Sequence, residues 1–223
     1  MSIERMTLER RAARHAALAD VARLAVVDEL ALGDRSPSEL QALVGLPSNL
    51  LTHHLNVLAE AGMVTRRRSE GDRRRTYLTL ADPTLVDAVV IEQRRVASVM
   101  FVCSANSARS QLAAGLWSQA SDIPVASAGT RPAEQIAHGA RAVADRRSLT
   151  LVSDTPRVFD DAATGDAFVV AVCDNAYEEL GGGVSLHWSI PDPVAAGDDA
   201  AFDRAFDELD RRISVLAPRL IAS

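Results

Sequence analysis

The stretch VMFVCSANSARSQLAAGLW, Val99 to Trp117, decides the fold of the second half of this chain. It opens as a short apolar run ending in a cysteine, the pattern of a strand covered on both faces. From Arg109 onward it repeats apolar residues at helical spacing. A buried strand passing through a few small residues straight into a helix is one unit of a parallel sheet. Three more apolar runs follow: VASAG (125–129), AFVVAVC (167–173) and VSLHWSI (184–190). They alternate with helical patterns at 109–119, 135–147 and 199–221. The expected fold is a three-layer α/β domain around a four-stranded parallel sheet.

The loop CSANSARS lies between strand end and helix start. There, backbone N–H groups converge and the helix dipole adds positive potential, so the position suits an anion. The small residues Ser104, Ala105, Ser107 and Ala108, with Asn106, let the backbone curl around a tetrahedral oxyanion, which Ser110 also borders. Arg109 can clamp two oxygens with its planar fork. Cys103 lies at the base of the loop, where the same field favours the thiolate, the nucleophilic form. Cysteine, five residues, arginine and serine is the spacing that brings both ends of one loop turn onto one ligand. Farther on, HWSIPDP (187–193) holds Asp192 between two prolines at the same sheet edge. A carboxylic acid placed there can protonate a departing oxygen.

The first half has a different rhythm. Residues 4–32 read as one or two helices, with Leu18, Val21, Leu24, Ala25 and Asp28 at helical spacing, and Gly33 as a stop. Ser36, Pro37 and Glu39 make a helix start, and Gly45 a stop. A further helix begins with Ser48 as cap, turns Leu51, Leu55 and Leu58 inward and closes at Gly62. MVTRRRSEGDRRRTYLTL reads as a hairpin with Glu70, Gly71 and Asp72 at its tip, and residues 83–97 as a helix. Two short helices and a basic hairpin are the order of a winged helix-turn-helix, mainly α with a β-hairpin wing. The expected domains are 1–94 and 95–223.

Composition narrows the possibilities. The chain has 223 residues, 48% of them hydrophobic, enough for a sizeable core. No apolar run approaches the ~18 residues of a membrane span. The N-terminus lacks the apolar core of a secretory signal. Two cysteines far apart do not make a disulfide framework, so reduced thiols and a cytoplasmic location are expected, with no membrane partner. Residues 1–95 hold 14 Arg against 13 Asp and Glu, whereas 96–223 hold 10 against 17. This asymmetry suggests different partners for the two halves. His53 and His54 point about 100° apart on a helix and do not converge on one ion. No metal site or bound cofactor is expected.

SPSELQALVGLPSNLLTHHLNVLAEAGMVTRRRSEGDRRRTYLTL resembles the ArsR-like family of small dimeric bacterial repressors. The resemblance implies binding to double-stranded DNA and a homodimer through the first domain. It places Ser48, Asn49, Thr52, His53 and His54 in the major groove. The wing arginines Arg66, Arg68, Arg73, Arg74 and Arg75 would lie on phosphates. The metal-binding cysteines that many members carry before the turn have no counterpart in GDRSPSELQAL.

VMFVCSANSARSQLAAGLW, SAGT, VVAVCDNA and HWSIPDP together look like the low-molecular-weight tyrosine phosphatase superfamily, and within it the arsenate reductases. Asn106, Ser107, Arg109, Ser110 and Gln111 match the reductase form of the loop. The resemblance implies that Cys103 attacks arsenate, Asp192 assists loss of hydroxide as water, and a second thiol releases arsenite. Asn106 would shape the loop and Ser110 would orient the thiolate. Three positions depart from the pattern. Val194 stands where the phosphatases carry a tyrosine, which argues against aryl phosphates. Ala105 replaces a glycine, so either the loop is reshaped or the position does not need positive φ. Cys173 matches the resolving cysteine of thioredoxin-coupled reductases, but their third cysteine is here Leu180. The second attack therefore falls to Cys173 or to a small thiol, and the implied reductant is external, of thioredoxin, glutaredoxin or mycothiol type. The sequence reading is arsenate reduction coupled to a DNA-binding regulator. The rival reading is a transcriptional regulator that senses arsenate, phosphate or a similar oxyanion without turnover, and a tyrosine phosphatase comes third.

Overall fold

The computed structural model describes residues 7–81 and 93–223. The chain divides into two compact units, residues 1–68 with 75–90, and residues 69–74 with 91–223.

The first unit holds helices α1 (Leu8–Leu18), α2 (Val21–Leu32), α3 (Pro37–Val44) and α4 (Ser48–Glu60), then strands β1 (Val64–Arg68) and β2 (Thr76–Leu80). Thr7 caps α1 and Asp20 caps α2, so the expected helical stretch is two helices. Ser36 and Glu39 form a reciprocal capping box on α3, with Pro37 in its first turn, and Gly45 ends the helix at φ 70°. α4 differs from expectation at its start. Pro47, not Ser48, occupies the cap position, and no side chain caps the helix. Leu51, Leu55 and Leu58 are buried as expected, and they pack with Leu40, Met63, Tyr77 and Leu78 in one core. The inward face of α2 is Val26, Val27, Leu30 and Ala31, whereas Val21 is 88% exposed and Leu24 40%. Spacing alone suggested the wrong stripe because α2 is apolar nearly all round. β1 and β2 pair antiparallel from Val64↔Leu80 to Arg68↔Thr76, which is the expected wing.

The second unit contains β3 (Arg94–Val96), β4 (Val99–Cys103), α5 (Arg109–Ala120), β5 (Val125–Gly129), α6 (His138–Arg146), α7 (Asp161–Thr164), β6 (Phe168–Ala171), α8 (Asp174–Leu180), β7 (Leu186–His187), α9 (Pro193–Ala196), α10 (Asp199–Leu216) and β8 (Leu220–Ala222). Strands β5, β4, β6 and β7 form a parallel sheet in that order. β4 is central, and its Phe101 and Val102 are fully buried, which is why it reads as an unbroken apolar run. Phe101 lies between Trp117 and Trp188, with ring centroids 6.0 and 5.8 Å away. α10 buries Phe202, Phe206, Leu209, Ile213 and Leu216, a stripe at alternating steps of four and three.

Both ends of this unit depart from expectation. Most of the helix read at 83–97 falls outside the described residues, but Arg94–Val96 is strand and pairs in parallel with Leu220–Ala222. The helix read to 221 stops at Leu216, because Pro218 cannot continue it.

Candidate active site

β4 delivers Cys103 to the carboxyl edge of the sheet, and α5 begins six residues later with Arg109. The loop between them is fixed from outside. The carbonyls of Cys103, Ser104, Ala105 and Ser107 accept hydrogen bonds from the N–H groups of Thr130, Arg131, Ala133 and Ala137, at 2.8–3.1 Å. In a trans peptide the next N–H points opposite to the carbonyl, so the N–H groups of Ser104, Ala105, Asn106 and Ala108 face the interior of the loop. The Asn106 N–H reaches Cys103 Sγ at 3.2 Å.

Asn106 holds the loop together. It is fully buried and adopts φ 49°, a left-handed conformation that asparagine tolerates better than most residues. Its Nδ2 donates to Ser110 Oγ (2.8 Å) and Ser127 Oγ (3.0 Å). Its Oδ1 accepts from Gln111 Nε2 (3.1 Å) and the Arg157 N–H (2.8 Å). Ser110 Oγ lies 3.0 Å from Cys103 Sγ. Ala105 is not at positive φ, so replacement of glycine there is accommodated without strain. The glycine the loop requires is Gly129: a Cβ there would stand 2.6 Å from the Ser104 carbonyl oxygen and 2.9 Å from the Asn106 nitrogen.

Arg109 is 5% exposed. Its Nη1 donates to the Ile190 carbonyl at 2.9 Å and lies 3.3 Å from Glu70 Oε2. Its Nη2 is 3.2 Å from Asp192 Oδ2. Burial pulls the guanidinium pKa down, but the charges of Cys173, Cys103, Asp192 and Glu70 outweigh it and leave the pKa raised. Asp192 caps α9, its Oδ1 accepting from the Val194 N–H at 3.0 Å, and Val194 is 46% exposed.

Cys173 follows β6, the neighbour of β4, two residues beyond the Val102↔Ala171 pair. The structure thus brings Cys103, Arg109, Asp192 and Cys173 to one edge. Both cysteines are buried and reduced. Ser104 Oγ lies 3.6 Å from Cys173 Sγ. Burial pushes the Cys173 thiol up, Arg109 opposes this, and Cys103 adds to it, so the thiol form is favoured. The segment after Cys173 is mostly the helix α8, and Cys173 Sγ caps it by accepting from the Ala176 N–H.

Three groups at this edge escape a reading of spacing. Glu70 is one, an acid in the middle of a basic run, which was its only signal. Asp174 and His187 are the others, a buried pair with Oδ1 and Nε2 3.0 Å apart, and Tyr177 stacks on the imidazole at 4.1 Å. Burial raises the Asp174 pKa, but hydrogen bonds from His187, the Glu70 N–H and Ser189 bring it below the usual range. Among the described residues no group of three His, Cys, Asp or Glu is placed to hold a metal ion, and no helix is long and apolar enough to cross a membrane.

Residues 98–223, more than half of the chain, match the family model of low molecular weight phosphotyrosine protein phosphatases. The chain belongs to that family. A second model, a helix-turn-helix domain, matches residues 18–67, within the region read as ArsR-like. The tyrosine phosphatase Wzb from Escherichia coli K30, solved with sulphate, is 21% identical with a TM-score of 0.50, covering 55% of this chain and 97% of its own. An arsenate reductase from Archaeoglobus fulgidus is 24% identical at TM-score 0.46, over 54% of this chain and 99% of its own. The YwlE arginine phosphatase from Geobacillus stearothermophilus is 23% identical at TM-score 0.46, over 55% and 91%. These likenesses concern the fold of the second unit. No curated protein matches the chain.

Of the residues read as DNA-facing, Ser48, Asn49, Thr52 and His53 are exposed on α4, and Arg66, Arg68, Arg73, Arg74 and Arg75 are exposed along the hairpin. His54 is buried and does not present itself to a partner. Arg74 is held by Asp72 through two contacts at 3.0 and 3.1 Å.

Proposed function

We propose that the second unit reduces arsenate to arsenite and that the first binds double-stranded DNA. The observation that carries the reading is the gathering of Cys103, Arg109, Asp192 and Cys173 around one loop whose N–H groups face inward. A phosphatase needs the first three but has no use for a second thiol. The Cys103 thiolate attacks arsenic, the As–O bond breaks, and Asp192 supplies the proton that lets hydroxide leave as water. A second thiolate then attacks the Cys103 sulfur. The S–As bond breaks, its electron pair stays on arsenic, and arsenite leaves as a disulfide forms. Cys173 is the nearest candidate for this attack, and an external thiol of thioredoxin, glutaredoxin or mycothiol type restores both sulfurs. The protein acts as a cytoplasmic homodimer through its first domain.

Arsenite formation from arsenate, assayed with each thiol system in parallel, tests the reading. Cys103→Ser should abolish it. A second reading, an oxyanion sensor without turnover, is favoured by one observation: burial holds Cys173 as a thiol, a poor attacking group. Binding of arsenate with no arsenite from any donor would select it.

A further inference from the structure

The second unit includes residues 69–74, the connection between β1 and β2. This tight turn is pinned to α8 by three hydrogen bonds and braced by a fourth within itself. The Glu70 N–H donates to Asp174 Oδ2 (2.8 Å), the Asp72 N–H to Glu178 Oε2 (2.8 Å), Ser69 Oγ to Glu178 Oε1 (2.7 Å) and the Gly71 N–H to Ser69 Oγ (2.9 Å). A Cβ at Gly71 would stand 2.5 Å from Glu178 Oε2, so a side chain there would push aside the carboxylate that holds the turn. The turn carries the Glu70 carboxylate to Arg109. One oxygen lies 3.3 Å from Arg109 Nη1, and the other accepts the Asp192 N–H at 3.1 Å.

A carboxylate with one oxygen on a guanidinium and the other on a backbone N–H is held as an oxyanion would be held. With Ile190, Glu70 and Asp192 on it, Arg109 has both terminal nitrogens occupied. A tetrahedral dianion in the loop needs that fork and meets a negative charge beside it. Glu70 and an oxyanion in the loop therefore compete for that guanidinium.

We propose that Glu70 is a tethered internal anion that competes with the oxyanion for Arg109, so that oxyanion binding releases the 69–74 turn. This rests on the oxyanion reading of the site. The ligand class that works the device is a tetrahedral oxyanion charged at neutral pH, arsenate or inorganic phosphate. Arsenious acid is uncharged there and leaves the turn in place. The turn bears Arg73 and Arg74 and joins the strands of the arginine-rich hairpin, so occupancy of the loop reaches the segment read as contacting DNA phosphates. By linkage, whatever anchors the turn weakens the oxyanion, and the reverse.

The test uses the full chain carrying Cys103→Ser, which prevents turnover, with and without Glu70→Gln. Arsenate and inorganic phosphate are titrated by calorimetry. Glu70→Gln is isosteric and keeps an acceptor for the Asp192 N–H, and it should bind both anions three- to tenfold more tightly. In the Cys103→Ser protein with Glu70 intact, saturating phosphate should speed hydrogen exchange at the Glu70 and Asp72 amides at least fivefold, and arsenite should leave it unchanged. Equal or weaker binding by Glu70→Gln, or unchanged exchange at those amides under saturating phosphate, overturns the competition while leaving the oxyanion site standing. No binding of either anion to either protein overturns both.

Discussion

Replacing Asn106 by alanine should cost the second unit about 5 kcal/mol. Four hydrogen bonds end on this side chain, from Nδ2 to Ser110 and Ser127 and into Oδ1 from Gln111 and Arg157. At a net ~1 kcal/mol each they sum to about 4, and stranded buried partners raise that figure. Gln111 would keep only a long contact to the Thr155 carbonyl at 3.5 Å. Alanine at φ 49° adds roughly 1 kcal/mol of backbone strain. Glycine loses the same bonds but not the φ tolerance, so Asn106→Gly should be no worse than Asn106→Ala, the reverse of the usual order. The measurement is urea unfolding followed by tryptophan fluorescence. The two tryptophans, Trp117 and Trp188, both lie fully buried in the second unit, so the signal reports that unit alone. A loss below about 1 kcal/mol for alanine, or a glycine variant clearly less stable than alanine, would refute the account of how the loop is held.

Cys103→Ser should abolish arsenite formation yet retain calorimetric binding of arsenate, because the loop amides and Arg109 remain; retained turnover would remove Cys103 from the chemistry. Because burial holds the Cys173 thiol protonated, formation of a Cys103–Cys173 disulfide in one turnover, read by mass spectrometry, should quicken as pH rises above the ordinary thiol range, and Cys173→Ser should stall release of arsenite unless a small thiol is added. The lowered pKa of Asp174 stabilises the fold above the ordinary carboxylate range, and that contribution is lost as pH falls below it, so Asp174→Asn should flatten the acid side of a stability–pH curve. Arg73→Ala with Arg74→Ala should weaken DNA binding on every sequence and reduce its salt slope, whereas Asn49 or Thr52 changes should alter sequence preference in a binding-site selection.

The sheet and its loop were legible because local pattern and tertiary role agree there. β4 must be apolar on both faces, and the loop must be small, with an arginine at its far end. The wing was legible for a similar reason, since turn residues between two short strand-like runs specify a hairpin without help from elsewhere. What stayed hidden depends on distant partners. Arg94–Val96 has no strand signal of its own and becomes one because Leu220–Ala222 lies beside it. The buried stripe of α2 could not be chosen from a helix apolar on most sides. Glu70 looked like an ordinary turn residue, since nothing in its neighbours says that Arg109 is its partner.

The pairing of β3 with β8 makes the continuous body of the second unit, residues 94–222, portable. Its described fold begins and finishes on adjacent strands, Arg94 beside Leu220. A domain whose two ends meet can be spliced behind another coding segment, or reopened at a different loop and rejoined across the old ends, without rerouting its interior. Linking residues 94 and 222 through a short peptide and opening the chain at the exposed Gly181–Gly183 turn should therefore leave the loop from Cys103 to Arg109 intact.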